Sequence, residues 1–277
     1  MPEDASVVGE SAPLRVAVLG FGEAGTEFAR DLATLGADVR GFDPKAPAPQ
    51  GVLECTSDAD AVRGAELVFG LTTAHEAESA LRQALSGLTP GAVWAEANTG
   101  TPAAKVRLAE LAAEAGVDLV DVAIMAPVPG RGIRTPMQVS GSAAPGFVDL
   151  MAGIGVPVEL VPGPVGVASS RKLLRSVVYK GLAAAVVEGL AGAEAAGCAD
   201  WFRDHIAGEF RSFDEDTLDR LISGTYAHAA RRADEMTAAA GQLTELGVTP
   251  RIATAARDAL QDIAFGDEGA SRDSRGQ

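Results

Sequence analysis

The segment from Arg15 to Asp43, RVAVLGFGEAGTEFARDLATLGADVRGFD, constrains the fold of this 277-residue chain more than any other. Val16, Val18 and Leu19 make an apolar run of strand length, and the chain then turns through Gly20-Phe21-Gly22-Glu23-Ala24-Gly25. Ala24, Phe28, Ala29, Leu32 and Leu35 follow at helical spacing, and Ala37 to Phe42 reads as a second strand ending at Asp43. A strand, a glycine turn, a helix and a strand ending in an acid form the unit that binds the ADP half of a dinucleotide.

Each part of G-x-G-x-x-G has a mechanical reason. Gly20 permits the tight turn, Gly22 lets the backbone approach a pyrophosphate, and Gly25 lets the helix pack closely on the strand. Phe21, Glu23 and Ala24 complete the loop, and the helix start offers N–H groups and the positive dipole end to the phosphates. Asp43 lies 18 residues past Gly25, near the ~20 expected of the acid that bonds the adenosine ribose. A carboxylate there repels the extra phosphate of NADP, so NAD is the expected cofactor; Lys45, a flexible cation two residues on, keeps NADP open. The flanking strand, helix and acid separate this motif from a chance glycine turn in a chain with 32 glycines, and FAD is the rival within the same unit.

The formal charge of −15 argues against nucleic acid and anionic membranes as partners, although a local cluster of Lys and Arg could still oppose the global sign. Cys55 and Cys198 are too few and too distant for a disulfide framework or zinc site, and the three histidines have no metal-binding spacing, so no metal is expected. Residues 1–13 lack the features of a signal peptide, which predicts a cytoplasmic protein.

Along the chain, strand patterns at Glu66–Leu71, Ala92–Ala95, Val117–Ile124, Met137–Ser140 and Val156–Leu160 alternate with helical ones at Asp58–Arg63, His75–Leu85, Ala103–Ala115 and Pro145–Ala152. This alternation predicts an α/β domain with a doubly wound, mostly parallel sheet over residues 14–163. Leu71, Thr72 and Thr73, and Glu96 to Gly100, fall at carboxyl ends of strands, the edge where such sheets bind ligands. From residue 164 to 266 only helical spacing remains. It predicts an all-α C-terminal domain opened by one buried helix over Ser169–Gly197, with later breaks near Gly224, Gly241 and Pro250. Residues 1–13 and 267–277 read as disordered tails.

An enzyme using a nicotinamide needs a proton donor or acceptor near the carbon that exchanges hydride. Lys172, Ser176, Tyr179 and Lys180 lie at i, i+4, i+7 and i+8 near the start of the long helix and can share one face. A lysine partly desolvated at a domain cleft can act as a base. Arg131 and Arg134, in the loop after the strand ending at Ile124, are candidates for holding an anionic substrate group.

With these motifs in this order, the stretch from Arg15 to Gly197 resembles the β-hydroxyacid dehydrogenase superfamily, in a divergent, 6-phosphogluconate dehydrogenase-like branch. Glu96-Ala97-Asn98-Thr99-Gly100-Thr101-Pro102 is similar to the family's segment beside the nicotinamide, and Asn98 to its asparagine. Gly166-Val167-Ala168-Ser169-Ser170-Arg171-Lys172 is similar to G-x-G-x-x-x-K, which would make Lys172 the catalytic lysine. Asp121 to Pro127 resembles the family's substrate loop, placing Met125 and Pro127 at the substrate. The chain departs at Ala168, at Ser176 in place of asparagine, at Tyr179 in place of an acidic donor, and at Met125 in place of a carboxylate-binding serine.

The resemblance implies a Rossmann domain, a helical domain that dimerises, and an NAD(P)-dependent oxidoreductase acting on a small polar alcohol or carbonyl, a β-hydroxy acid with subsequent decarboxylation among them. Met125 favours a less acidic substrate and so an imine reductase as the alternative. The departures also leave room for a dinucleotide-binding module without chemistry.

Overall fold

The computed structural model describes residues 12–273. The chain divides into two compact units, the first ending at Arg175 and the second beginning at Ser176.

The first unit is an eight-stranded sheet in the order β3-β2-β1-β4-β5-β6-β7-β8. Its strands are β1 (Arg15–Leu19), β2 (Asp38–Phe42), β3 (Leu53–Glu54), β4 (Leu67–Gly70), β5 (Val93–Glu96), β6 (Asp118–Ile124), β7 (Met137–Ser140) and β8 (Glu159–Leu160). The helices between them are α1 (Glu23–Thr34), α2 (Asp58–Ala61), α3 (Ala77–Ala84), α4 (Pro102–Glu114) and α5 (Ala144–Gly153). Every pairing is parallel except β6 with β7. The chain from 125 to 136 holds no crossover helix, only a 3₁₀ turn at Gly132–Arg134, so the return to β7 is antiparallel.

Period-two alternation in β1 sends Val16 and Val18 to one face and Ala17 and Leu19 to the other, and all four are fully buried. The first face carries Phe28 and Leu32 of α1 and Phe147 of α5, with Phe69 set edge-on between Phe28 and Phe147. The second packs Leu81 of α3 and Leu108 and Leu111 of α4 around Trp94. Burial on both faces is what a parallel sheet requires, and it explains why these strands read as nearly continuous apolar runs.

Three local readings change. The two-residue β3 lies in a segment with no strand pattern, paired to β2 at Arg40 and Gly41. The strand expected over 156–160 shortens to Glu159–Leu160, because the N–H of Val156 closes the end of α5 on Met151. The first unit also continues past 163 to Arg175, for a physical reason. The first turn of α6 (Val167–Ala195) is fastened to the sheet by Asp121 and Ser140, which accept the N–H groups of Ser169 and Ala168.

The second unit holds the rest of α6, then α7 (Ala199–Arg211), α8 (Glu215–Glu245) and α9 (Arg251–Asp273). Gly224 and Gly241, expected to be breaks, lie inside α8, where a glycine costs only about 1 kcal/mol. α8 instead departs from helical geometry at His228. The break before it falls at 212–214, where the Asp214 carboxylate accepts the N–H of Thr217 as an N-cap. Glu188 of α6 does the same for α9, its two oxygens accepting from Ile252 and Ala253 at 2.8 Å each. Burial raises the Glu188 pKa, but these amide hydrogen bonds outweigh it and hold the carboxyl below its usual range. α8 packs against α9, and Ala229, Ala233 and Ala240 of α8 and Ala253 of α9 are buried.

Contrary to its reading as a buried helix, α6 exposes Val177, Val178, Tyr179 and Val187. Among the described residues it is also the one helix long and apolar enough to cross a membrane by length and composition, although Lys180, Glu188 and Glu194 interrupt it. Of the expected tails, 12–13 and 267–273 are described, the latter as the end of α9; 1–11 and 274–277 lie outside the described residues.

Candidate functional site

β1 is the strand at which the sheet order reverses, so the crevice beyond the carboxyl ends of β1 and β4 is its natural ligand site. The glycine turn sits there. Gly20 has φ of 97°, and a Cβ on it would fall 2.5 Å from the carbonyl oxygen of Leu71. A Cβ on Gly25 would collide with the carbonyl of Gly20, so helix and turn can approach only through glycine. At Gly22 a Cβ would meet nothing within 4 Å. Gly22 is also the N-cap of α1 and carries no capping side chain, which leaves the first-turn amides turned to an anion. A pyrophosphate fits this cradle.

The turn borders a cleft of about 450 Å³. Gly20, Gly22, Asp43, Lys45, Leu71, Thr72 and Thr73, all expected to contact cofactor, line it. The neighbours in the motif have other work. The Phe21 ring is buried against Gly41, Glu23 is exposed, and Ala24 is half-buried in α1. Asp43 is engaged by the protein itself: Oδ2 accepts the N–H of Phe21 at 2.7 Å, and Oδ1 accepts those of Lys45 and Ala46 at 2.7 and 3.1 Å. It ties the glycine turn to the loop after β2.

Asp58, which the sequence presents only as a helix-start residue, lines the same cleft at 7% exposure. Burial, and then the neighbouring Asp43 charge, push its pKa up to about 6. The visible sequence signal is Ser57, whose hydroxyl caps α2 through the N–H of Asp60; nothing local marks Asp58 as facing a ligand.

At the next strand ends, Asn98 is buried and its amide donates to Thr72 Oγ1 at 3.2 Å, joining the ends of β4 and β5. Beneath it lies a buried charge cluster. The Lys105 ammonium, on α4, donates to the Glu96 carbonyl at 2.6 Å and stands 3.6 Å from Glu96 Oε1 and 3.5 Å from Asp121 Oδ1. Glu96 also accepts from the Trp94 indole and the Asn98 N–H. Asp121 accepts from the N–H groups of Gly166 and Ser169 and from the Ser169 hydroxyl, so a carboxylate caps the N-terminus of α6. Asp121 therefore does not face a substrate; it fastens the helix that carries Lys172.

Lys172 is half-buried in the first unit, one turn beyond that anchor. Ser176, Tyr179 and Lys180 follow on the same unbroken helix, with Tyr179 and Lys180 exposed. Met125 closes the end of β6 by donating its N–H to Pro136, and Pro127 is exposed. Arg131 is exposed and reaches the Pro127 carbonyl at 3.4 Å, and Arg134 donates to the Gly155 carbonyl at 2.7 Å. Arg131 thus bonds within its own loop, and Arg134 bonds across to the loop that follows α5.

Residues 15–132 match the NAD binding domain of 6-phosphogluconate dehydrogenase, and residues 193–263 match a domain of unknown function, DUF1932. An uncharacterised 28.5 kDa protein of Methanothermus fervidus is 25% identical over 80% of this chain and 88% of its own length. A solved conserved protein of unknown function, reported as similar to 3-hydroxyacid dehydrogenases, is 28% identical with a TM-score of 0.57, covering 91% of this chain and 98% of that one. An imine reductase of Myxococcus stipitatus in complex with NADP+ has the same fold, with a TM-score of 0.75 at 18% identity over 91% of this chain and 94% of that one; a variant of it is solved with NAD+.

Proposed function

From a chain whose residues 15–132 match the NAD binding domain of 6-phosphogluconate dehydrogenase and whose residues 193–263 match DUF1932, we propose an NAD(P)-dependent oxidoreductase acting on a small polar alcohol or its carbonyl partner. The observation that carries the proposal is a glycine cradle at the sheet's switch point in the same compact unit as a lysine on a helix capped by Asp121. When bound, the nicotinamide supplies or accepts the hydride. The protein's part is to hold Asn98 against Thr72, to fix the start of α6, and to move one proton at Lys172 Nζ. In the oxidising direction the Lys172 amine takes the hydroxyl proton as the carbinol carbon loses hydride; in reduction the ammonium returns it. Ser176 or Tyr179 would orient the oxygen. With a β-hydroxy acid, the β-keto product then sheds carbon dioxide.

Reduction of a C=N bond is the second reading. Met125 in place of a carboxylate-binding serine and the likeness to imine reductases support it. Spectrophotometry of NADH and NADPH oxidation with a panel of keto acids and cyclic imines is the test. The first reading expects turnover with keto acids, the second with imines alone. Tight coenzyme binding with neither turned over would leave a dinucleotide-binding module.

The same proposal includes a cytoplasmic homodimer joined through the helical unit. Leu174, Val177, Val178, Leu182 and Val187 stand on α6 as exposed apolar side chains, and Ile222 and Tyr226 do so on α8. A surface of that kind suits a second copy. Sedimentation equilibrium is expected to give the mass of two chains, and Val177→Asp with Val178→Asp the mass of one. A wild-type mass of one chain would remove the dimer.

A further inference from the structure

We propose that Asp58, and not Asp43, is the carboxylate that receives the adenosine ribose hydroxyls, and that Asp58 makes the cleft select NAD over NADP. The inference rests on the dinucleotide reading and deepens it at a residue that sequence reasoning does not single out.

Two observations divide the roles. Asp43 sits where a ribose-binding acid is expected, but its two oxygens already accept three backbone N–H groups, from Phe21, Lys45 and Ala46. A carboxylate offers about four acceptor sites, so little of Asp43 remains for a diol. Asp58 is the converse. It is more than nine-tenths buried and borders the cleft, and among the described residues its carboxylate accepts no hydrogen bond. Its oxygens open onto the cleft, so their hydrogen-bond donors come from water there or from a ligand that displaces it. A vicinal diol supplies two O–H donors and no charge.

The charges around Asp58 sharpen the choice of ligand. Among the described residues, the cleft lining presents Asp43, Asp58 and Glu76 against one cation, Lys45. On the elements packed beside α2, Arg40 of β2 donates to the Arg63 carbonyl, Arg63 pairs with Asp60, and Arg82 of α3 pairs with Glu78. Those cations are engaged elsewhere. A ribose 2′-phosphate would add about −1.5 to −2 charges to a site that already holds a surplus of carboxylate.

The proton balance gives a second signature. Because the carboxyl of Asp58 titrates near 6, it is ionised and accepting at neutral pH and protonated below that. Hydroxyl donors favour the ionised form, so NAD affinity is expected to climb as pH rises through about 6.

Calorimetric titration of the full chain and of Asp58→Asn with NAD and with NADP, between pH 5 and 8, is the experiment. At pH 8 the substitution is expected to weaken NAD binding about tenfold and to tighten NADP binding, the scale of a hydrogen bond to a charged acceptor. The rise of NAD affinity with pH should be present in the wild type and flat in the variant. An Asp58→Asn variant with unchanged affinities, or one that loses both coenzymes equally along with thermal stability, overturns the inference. A wild-type chain that binds neither coenzyme overturns the dinucleotide reading itself, whereas wild-type NAD binding with an indifferent variant removes only the role of Asp58.

Discussion

Lys172→Ala is expected to lower turnover at least ~100-fold, the low end of what a positioned general acid or base contributes. NAD affinity should stay near that of the wild type. The separation of the two effects is the informative part. The cleft at the glycine turn is built from the carboxyl ends of β1, β2 and β4, the start of α2 and one side of α3, and Lys172 lines none of it. Removing the amine therefore leaves the cradle intact while removing the group that takes or returns the proton. A merely structural lysine would behave differently, shifting thermal stability with little effect on turnover. Lys172→Arg adds a check: it keeps a cation on the helix but cannot cycle a proton at neutral pH, so it should be nearly as slow as alanine. Unchanged turnover in Lys172→Ala would take the residue out of the mechanism and leave the scaffold reading in its place.

How far the sequence can be read depends on whether a feature is decided locally. The glycine turn, the helix that follows it and the apolar run of β1 are settled by neighbours within a few residues, and the structure places each where the pattern puts it. Boundaries in the second unit are less legible. Gly224 and Gly241 look like breaks, yet flanking helix formers and the packing of Ala229, Ala233 and Ala240 outweigh the cost of glycine. α6 looks buried because its composition is apolar; composition says that a face wants a partner, not that the same chain provides one. Asp43 reads correctly in place but too simply in role, since its amide donors come from the glycine turn and from the loop it precedes. Asp58, Lys105 and Asp121 are not visible in these roles at all. A buried charge is tolerable only through partners that the fold brings to it or through a ligand, and no local pattern reports those.

The largest expected effect on stability comes from that long-range pairing. Lys105 is 1% exposed and neutralises two carboxylates that are equally buried, Glu96 and Asp121. Lys105→Met preserves most of the volume but leaves two buried acids facing each other without a cation. Breaking a buried ion pair from one side costs about 3–5 kcal/mol. In a unit of this size that is a fall in the thermal midpoint of roughly 10 °C, read by calorimetry or circular dichroism. The cause can be separated from loss of packing. Adding Glu96→Gln to Lys105→Met removes one of the two stranded charges while its amide oxygen can still accept a hydrogen bond from Trp94 or Asn98, so the double variant should recover part of the midpoint. A double variant less stable than the single one would mean that the methionine is simply a poor fit. Function should follow the same thread. Asp121 holds the N–H groups of Gly166 and Ser169, and Glu96 holds Asn98, so the ammonium between them fixes both the strand end at Asn98 and the helix of Lys172. Where Lys105→Met still folds, it should lose turnover while the pyrophosphate cradle, which it does not touch, continues to bind coenzyme.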